Sequence, residues 1–228
     1  MSYLKFWLPI LLVILITPWT PFLDLSISRY FYQLGDRQFL SNDFIKFAFT
    51  FGFYPANIVC ILALLVLIIS LFSAKFVKWR RAALVLILTL AVGAGLITHV
   101  ALKDHWGRPR PKQVIEFGGK QEFRPYYKPN FFNQPEPSKS FSCGHCSTGF
   151  FFFALALIGR RLNNKKLSYL GWILAFGLGI LLSVVRIAQG GHFFSDTLIS
   201  ALIMWETALF FDWLIYQNSV INFFKELN

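Results

Sequence analysis

Six apolar runs dominate this chain, at about Phe6 to Trp19, Tyr54 to Phe72, Ala82 to Leu102, Cys146 to Gly159, Leu167 to Val185 and Thr197 to Tyr216. Most approach the roughly 20 residues that carry an α-helix across a hydrocarbon core. Lipid offers no partner to a backbone N–H or C=O, so such runs fold as helices. The expected fold is all-α, a bundle of six transmembrane helices forming one domain over residues 1–228. The fourth run is short and is extended back to Gly144, which puts its polar first turn at the interface. The first run is kept as a helix because no small-x-small cleavage site follows it, and Pro18, Trp19, Pro21 and Phe22 crowd that position. With 56% hydrophobic residues and 18% aromatics, a water-soluble domain is excluded.

Charge in the short loops sets the orientation. Ala74 to Arg81 carries Lys75, Lys78, Arg80 and Arg81, and Arg160 to Lys166 carries Arg160, Arg161, Lys165 and Lys166; neither contains an acid. Both belong in the cytoplasm. Both termini then lie there too, and the polar helix ends opposite face the periplasm of a bacterial inner membrane. The net charge of +11 rests largely on these two loops, which excludes nucleic acid as the partner.

Two further segments are polar. Pro21 to Phe53 mixes both charge signs with Tyr and Phe, the pattern of an interfacial stretch with a helix lying flat. Residues 104–141 form a long periplasmic loop between the third and fourth helices. There Pro109, Pro111, Pro125, Pro129, Pro135, Pro137, Gly118 and Gly119 forbid a long helix. Its Phe123, Tyr126, Tyr127, Phe131 and Phe132 suit a lid that touches lipid headgroups.

Three clusters rich in polar and basic residues sit at outer helix ends: Lys103 to Pro111, Ser140 to Ser147, and Arg186 to Asp196. In the first, prolines end the helix and hold Arg110 in an extended turn. A guanidinium grips two oxygens of an oxyanion while Lys103 adds a point charge. In the second, Gly144 lets an anion approach backbone amides at a helix start, and His145 is placed to protonate a leaving oxygen. In the third, Asp196 lies one helical turn after His192, where it can accept the Nδ1 proton and leave Nε2 as a nucleophile. Taken singly, each cluster also reads as snorkelling anchors and helix caps. Together they hold Lys103, Arg110 and Arg186 beside two histidines, the inventory of phosphoryl transfer without a metal.

Cys143, Gly144, His145 and Cys146 also spell the active tetrapeptide of some dithiol oxidoreductases, and a thiol at a helix start is acidified. The strand and soluble βαβ frame of such proteins are missing, so a membrane dithiol redox protein is the competing class. A reversible disulfide between Cys143 and Cys146 remains open, and Cys60 reads as packing. A catalytically silent scaffold is the third class. Glu206 and Asp212 fall inside the last helix, where an ionisable group is expected to face the bundle and find a partner.

The clusters resemble the signature of the type 2 phosphatidic acid phosphatase superfamily, which includes vanadium haloperoxidases. Its first motif, Lys, six residues, Arg, Pro, matches at Lys103, Arg110 and Pro111, and its third at Arg186, His192 and Asp196. The resemblance implies His192 as nucleophile, Asp196 as its orienter and His145 as general acid. It implies phosphate binding by Lys103, Arg110, Arg186, Cys143 and Gly144, with Arg108 and Ser142 as further candidates, and neither metal nor cofactor. The chain departs from the pattern at Cys143, where the superfamily has serine, and at Val185, which replaces the serine before the third-motif arginine. The strings around the motifs look most like lipid A 4′-phosphatases, while other members hydrolyse undecaprenyl diphosphate or phosphatidylglycerol phosphate. The implied partner is a lipid phosphate in the membrane.

Overall fold

Helices are the regular elements of the computed structural model, which describes residues 3–132 and 138–217. Pro135, Pro137 and the chain ends, which were expected in the cytoplasm, lie outside the described residues. In chain order the helices are α1 (Tyr3–Ile16), α2 (Thr20–Leu34), α3 (Asp43–Phe51), α4 (Tyr54–Phe72), α5 (Arg80–Leu88), α6 (Gly144–Phe150), α7 (Phe153–Arg161), α8 (Lys165–Ala188) and α9 (Phe194–Gln217). Between α5 and the polar loop the chain continues as a wider, π-wound helix over Thr89–Lys103.

Five stretches among the described residues are long and apolar enough to cross a membrane: Tyr3–Leu34, Asp43–Phe72, Ala74–Lys103, Lys165–Ala188 and Phe194–Tyr216. The fourth expected span does not form one long helix. It is divided into α6 and α7 at Phe151 and Phe152. Ser147 Oγ and Thr148 Oγ1 donate back to the carbonyls of Cys143 and His145 at 3.0 and 2.8 Å, a pattern that bends helices. Just beyond, Ala154 N closes a tight turn on Phe151 O at 3.0 Å. Phe150, Phe151, Phe152, Phe153 and Ala154 are all buried, because this segment lies in the middle of the bundle along α8 and against α9. A helix apolar on every side belongs there.

The expectation for Pro21 to Phe53 needs correction. A single 3₁₀ turn, Thr17–Trp19, joins α1 to α2, so Pro21 to Leu34 continues the first spanning rod instead of lying on the interface. Pro18 and Pro21 stand at the first positions of their turns, where a missing N–H breaks no helical bond. Thr20, Asp24 and Ser28 form the buried side of α2. The short helix is α3, capped by Asn42 Oδ1 accepting from Ile45 N at 2.9 Å, and it leads into α4.

The two acid-free basic loops share one end of the bundle. Ala74–Lys103 runs from one of them to Lys103, and α8 runs from Lys165 in the other to Arg186. At the basic end Asp212 meets Arg161 through two bonds of 2.9 and 2.8 Å, as an intramembrane acid should. Glu206 does not follow that expectation: neither carboxylate oxygen has a hydrogen-bond partner among the described residues. It falls between the Trp205 face, whose Nε1 donates to Lys5 O, and the buried face of Met204, Thr207 and Ala208.

Candidate active site

His192 lies in the five-residue turn from α8 to α9 and is 1% exposed. Its Nδ1 is 2.6 Å from Ser140 O. A carbonyl oxygen can only accept, so Nδ1 carries the proton and Nε2 keeps its lone pair free. Asp196 was expected to take that proton directly, but its Oδ2 is 3.7 Å from Nδ1, too far for a hydrogen bond. Oδ2 instead accepts from Ser140 Oγ at 2.6 Å and from Phe193 N at 2.8 Å. Asp196 therefore fixes the two stretches of chain that hold the imidazole rather than the ring itself. Burial, opposed by Asp196 and reinforced by Arg186 and Arg110, lowers the His192 imidazole to about 4.

Around this histidine the structure gathers three cations. Lys103 closes the π-wound helix, Arg110 follows Pro109 in extended backbone, and Arg186 occupies the last turn of α8. Lys103 is within electrostatic reach of both arginines. Arg186 donates to Gln189 Oε1 at 2.6 Å and lies 4.6 Å above the Phe49 ring. Its guanidinium folds back over Gly191, where a Cβ would come within 2.5 Å of Nη2. The Nε atoms of Arg110 and Arg186 and the Ser142 hydroxyl are buried with no partner among the described residues. Clustered cations with uncommitted donors favour a multiply charged oxyanion.

The middle cluster opens α6. Gly144 packs against the His99 ring, with room for no side chain: a Cβ would sit 2.4 Å from His99 Nε2. His145 stacks on Phe49 with ring centres 4.6 Å apart and meets the edge of Phe53 at 6.0 Å. It lies within electrostatic reach of Arg186, His192 and Lys103. Cys143 departs from the phosphate-binding expectation. Its sulfur is bonded to Cys146, and its amide donates to Ser200 Oγ at 2.9 Å, so neither donor is free for an oxyanion. Phe49, which touches both His145 and Arg186, was missed because a phenylalanine in an apolar-aromatic stretch carries no motif.

Comparison with known proteins accounts for the three clusters at once: the model of the PAP2 superfamily matches residues 82–219. The chain belongs to the PAP2 superfamily. It is 32% identical over 200 residues to a lipid A 4′-phosphatase of Francisella tularensis subsp. novicida, covering 86% of each chain. A lipid A 4′-phosphatase of Rhizobium leguminosarum is 32% identical over 114 residues, half of this chain and 46% of that one. One from Rhizobium etli is 31% identical over 113 residues, half of this chain and 42% of that one. No solved structure matches the chain significantly.

In this PAP2 protein Arg108 is not free to bind phosphate, contrary to the sequence expectation. It is fully buried and donates to Asp24 Oδ2 at 2.7 Å, Asp196 Oδ1, Ser195 Oγ at 2.8 Å and Arg124 O at 2.9 Å. Phe193 and Phe123 cover the guanidinium at 4.6 and 5.8 Å. The polar loop closes on the site: Ser140 N donates to Arg108 O, and Lys112 N to Gly190 O. Of the loop aromatics, Phe123 packs against Phe193 and Tyr126 stacks on Phe141. Tyr127, Phe131 and Phe132 face outward, with Phe132 92% exposed.

Proposed function

We propose that this PAP2-superfamily phosphatase hydrolyses a phosphate monoester on a membrane lipid through a phosphohistidine at His192, with lipid A and its 4′-phosphate as the leading substrate. The observation that carries the reading is the meeting of His192, whose Nε2 is unprotonated, with His145 and the cations Lys103, Arg110 and Arg186. The relatives named lipid A 4′-phosphatases support the substrate. Lys103, Arg110, Arg186 and Ser142 hold the phosphate oxygens beside the amides at Gly144. His192 Nε2 forms the N–P bond as the P–O bond to the sugar breaks, and His145, protonated once the phosphate dianion is bound beside it, gives that proton to the departing oxygen. Water then attacks phosphorus with His145 as base and frees His192, splitting one displacement into two. The cations supply the charge stabilisation that metal ions bring to other phosphoryl-transfer sites.

The site faces the periplasm in this reading, because it lies at the bundle end opposite the two basic loops. The protein is a multi-pass component of the bacterial inner membrane, with the α6–α7 segment completing the sixth crossing. The test is phosphate release by purified protein, in chelator, from lipid A, undecaprenyl diphosphate and phosphatidylglycerol phosphate. Preference for lipid A with loss of one phosphate supports the reading. Preference for either of the others transfers the substrate while keeping the chemistry, and loss of activity in chelator restored by a divalent metal overturns the mechanism.

A further inference from the structure

Asp24 belongs to the first spanning rod and lies outside residues 82–219, the segment that carries the superfamily match. It belongs to no motif, yet it is fully buried and accepts three hydrogen bonds. Ser195 N donates to its Oδ1 at 2.7 Å, and Ser195 Oγ and Arg108 Nη2 donate to its Oδ2, each at 2.7 Å. The same Arg108 donates through Nη1 to Asp196 Oδ1. Asp196 Oδ2 takes the Ser140 hydroxyl, and Ser140 O takes the His192 Nδ1 proton. A continuous chain of polar contacts thus runs from α2, in the first spanning rod, to the ring of the nucleophile.

We propose that Asp24 is a positioning residue for His192, acting through Arg108, Ser195 and Asp196. The inference rests on His192 being the nucleophile of the phosphatase. Two effects follow from the contacts. Asp24 holds one side of the Arg108 guanidinium and fixes Ser195, so Nη1 keeps the direction that pins Asp196 against Ser140. It also sets the local charge: one guanidinium between two carboxylates leaves the cluster net negative. When Nε2 bonds to phosphorus the ring still carries its Nδ1 proton and becomes an imidazolium, which that residual charge stabilises. Without Asp24, Arg108 neutralises Asp196 and nothing remains for the ring. A group that only packed the helix would affect folding and leave turnover of the folded protein alone.

The experiment compares wild type, Asp24→Asn, Asp196→Asn, the double variant and His192→Ala as purified folded protein, reading kcat and KM for lipid phosphate. Asp24→Asn is expected to lower kcat about tenfold or more with KM nearly unchanged, the size of losing a buried charged hydrogen bond. In the Asp196→Asn background the same change is expected to cost less than about twofold, because both act along one chain of contacts. A normal kcat for Asp24→Asn, or additive losses in the double variant, overturns the proposal. If Asp24→Asn does not fold, Ser195→Ala carries the test, since it keeps every charge and removes the hydroxyl between Asp24 and Arg108. A lowered kcat that is non-additive with Asp196→Asn is expected, and an additive or absent effect overturns the proposal. Activity in His192→Ala would instead remove the phosphohistidine reading on which the inference stands.

Discussion

His192 and Ser140 are joined by a 2.6 Å contact between the imidazole Nδ1 and a backbone carbonyl, and this bond decides which nitrogen of the ring keeps a free lone pair. Because the acceptor is main chain, its position depends on what holds residue 140. Ser140 N donates to Arg108 O at 3.0 Å, and the Ser140 hydroxyl donates to Asp196 at 2.6 Å. Ser140→Ala should therefore loosen the carbonyl and lower kcat by about tenfold with little change in KM, the scale of one lost charge-assisted hydrogen bond. Steady-state kinetics on the folded variant check it, and a rise in KM alone would place Ser140 in binding instead.

The depressed His192 value predicts the acid side of the pH profile. A base lowered to about 4 stays unprotonated through mildly acidic pH, so kcat/KM should fall only as pH approaches that value, well below the ordinary histidine range. Stability has the matching sign. Between the ordinary histidine value and about 4 the unfolded chain binds a proton that folded His192 refuses, so stability falls with acid over that window and is unaffected above it. A kcat/KM profile with its acid limb at ordinary histidine pH would contradict the buried, neutral imidazole.

Arg108 and Arg110 are two residues apart and should behave oppositely. Arg108 satisfies Asp24 and Asp196 in full burial, and its removal leaves uncompensated carboxylates. Arg108→Leu should destabilise the protein by about 3–5 kcal/mol. Arg110, with a buried Nε that has no described partner, should on change to Ala leave stability nearly intact and weaken phosphate and vanadate binding. Thermal unfolding and vanadate inhibition of both variants separate the two roles.

Much of the candidate site was legible because its residues carry spacing: Lys103, Arg110, His145, Arg186, His192 and Asp196 fall at helix ends with fixed intervals. Distance in space was not. The direct His192 and Asp196 bond drawn from one helical turn fails because Ser140, over fifty residues away, intervenes. Arg108 looked like a phosphate ligand because a sequence shows a charge without showing the carboxylates that claim it. Asp24 had one available signal, an acid within a long helical and largely apolar stretch. Treating that stretch as interfacial, where acids are ordinary, hid it. The division of the fourth span falls at the tight turn that Ala154 N closes on Phe151 O, which composition does not reveal.

The Cys143–Cys146 disulfide bears on the competing dithiol reading. Since the Cys143 sulfur offers no donor to phosphate, the paired change of Cys143 and Cys146 to serine should retain phosphatase activity within several-fold. Closing so short a loop should contribute about 2 kcal/mol or less to stability. Phosphate release and thermal unfolding, with and without reductant, test this. Complete loss of activity in a folded double variant would assign chemistry to the sulfurs.

Purified wild type and His192→Ala should be mixed with lipid A, and phosphate release and any acid-labile, alkali-stable phosphoryl group on the protein followed on the millisecond scale. We predict that wild type forms and discharges such a phosphoenzyme, while folded His192→Ala forms none and loses at least about 10³-fold in turnover. Phosphate release by His192→Ala above a tenth of the wild-type rate would contradict the claim that this histidine carries the phosphoryl group.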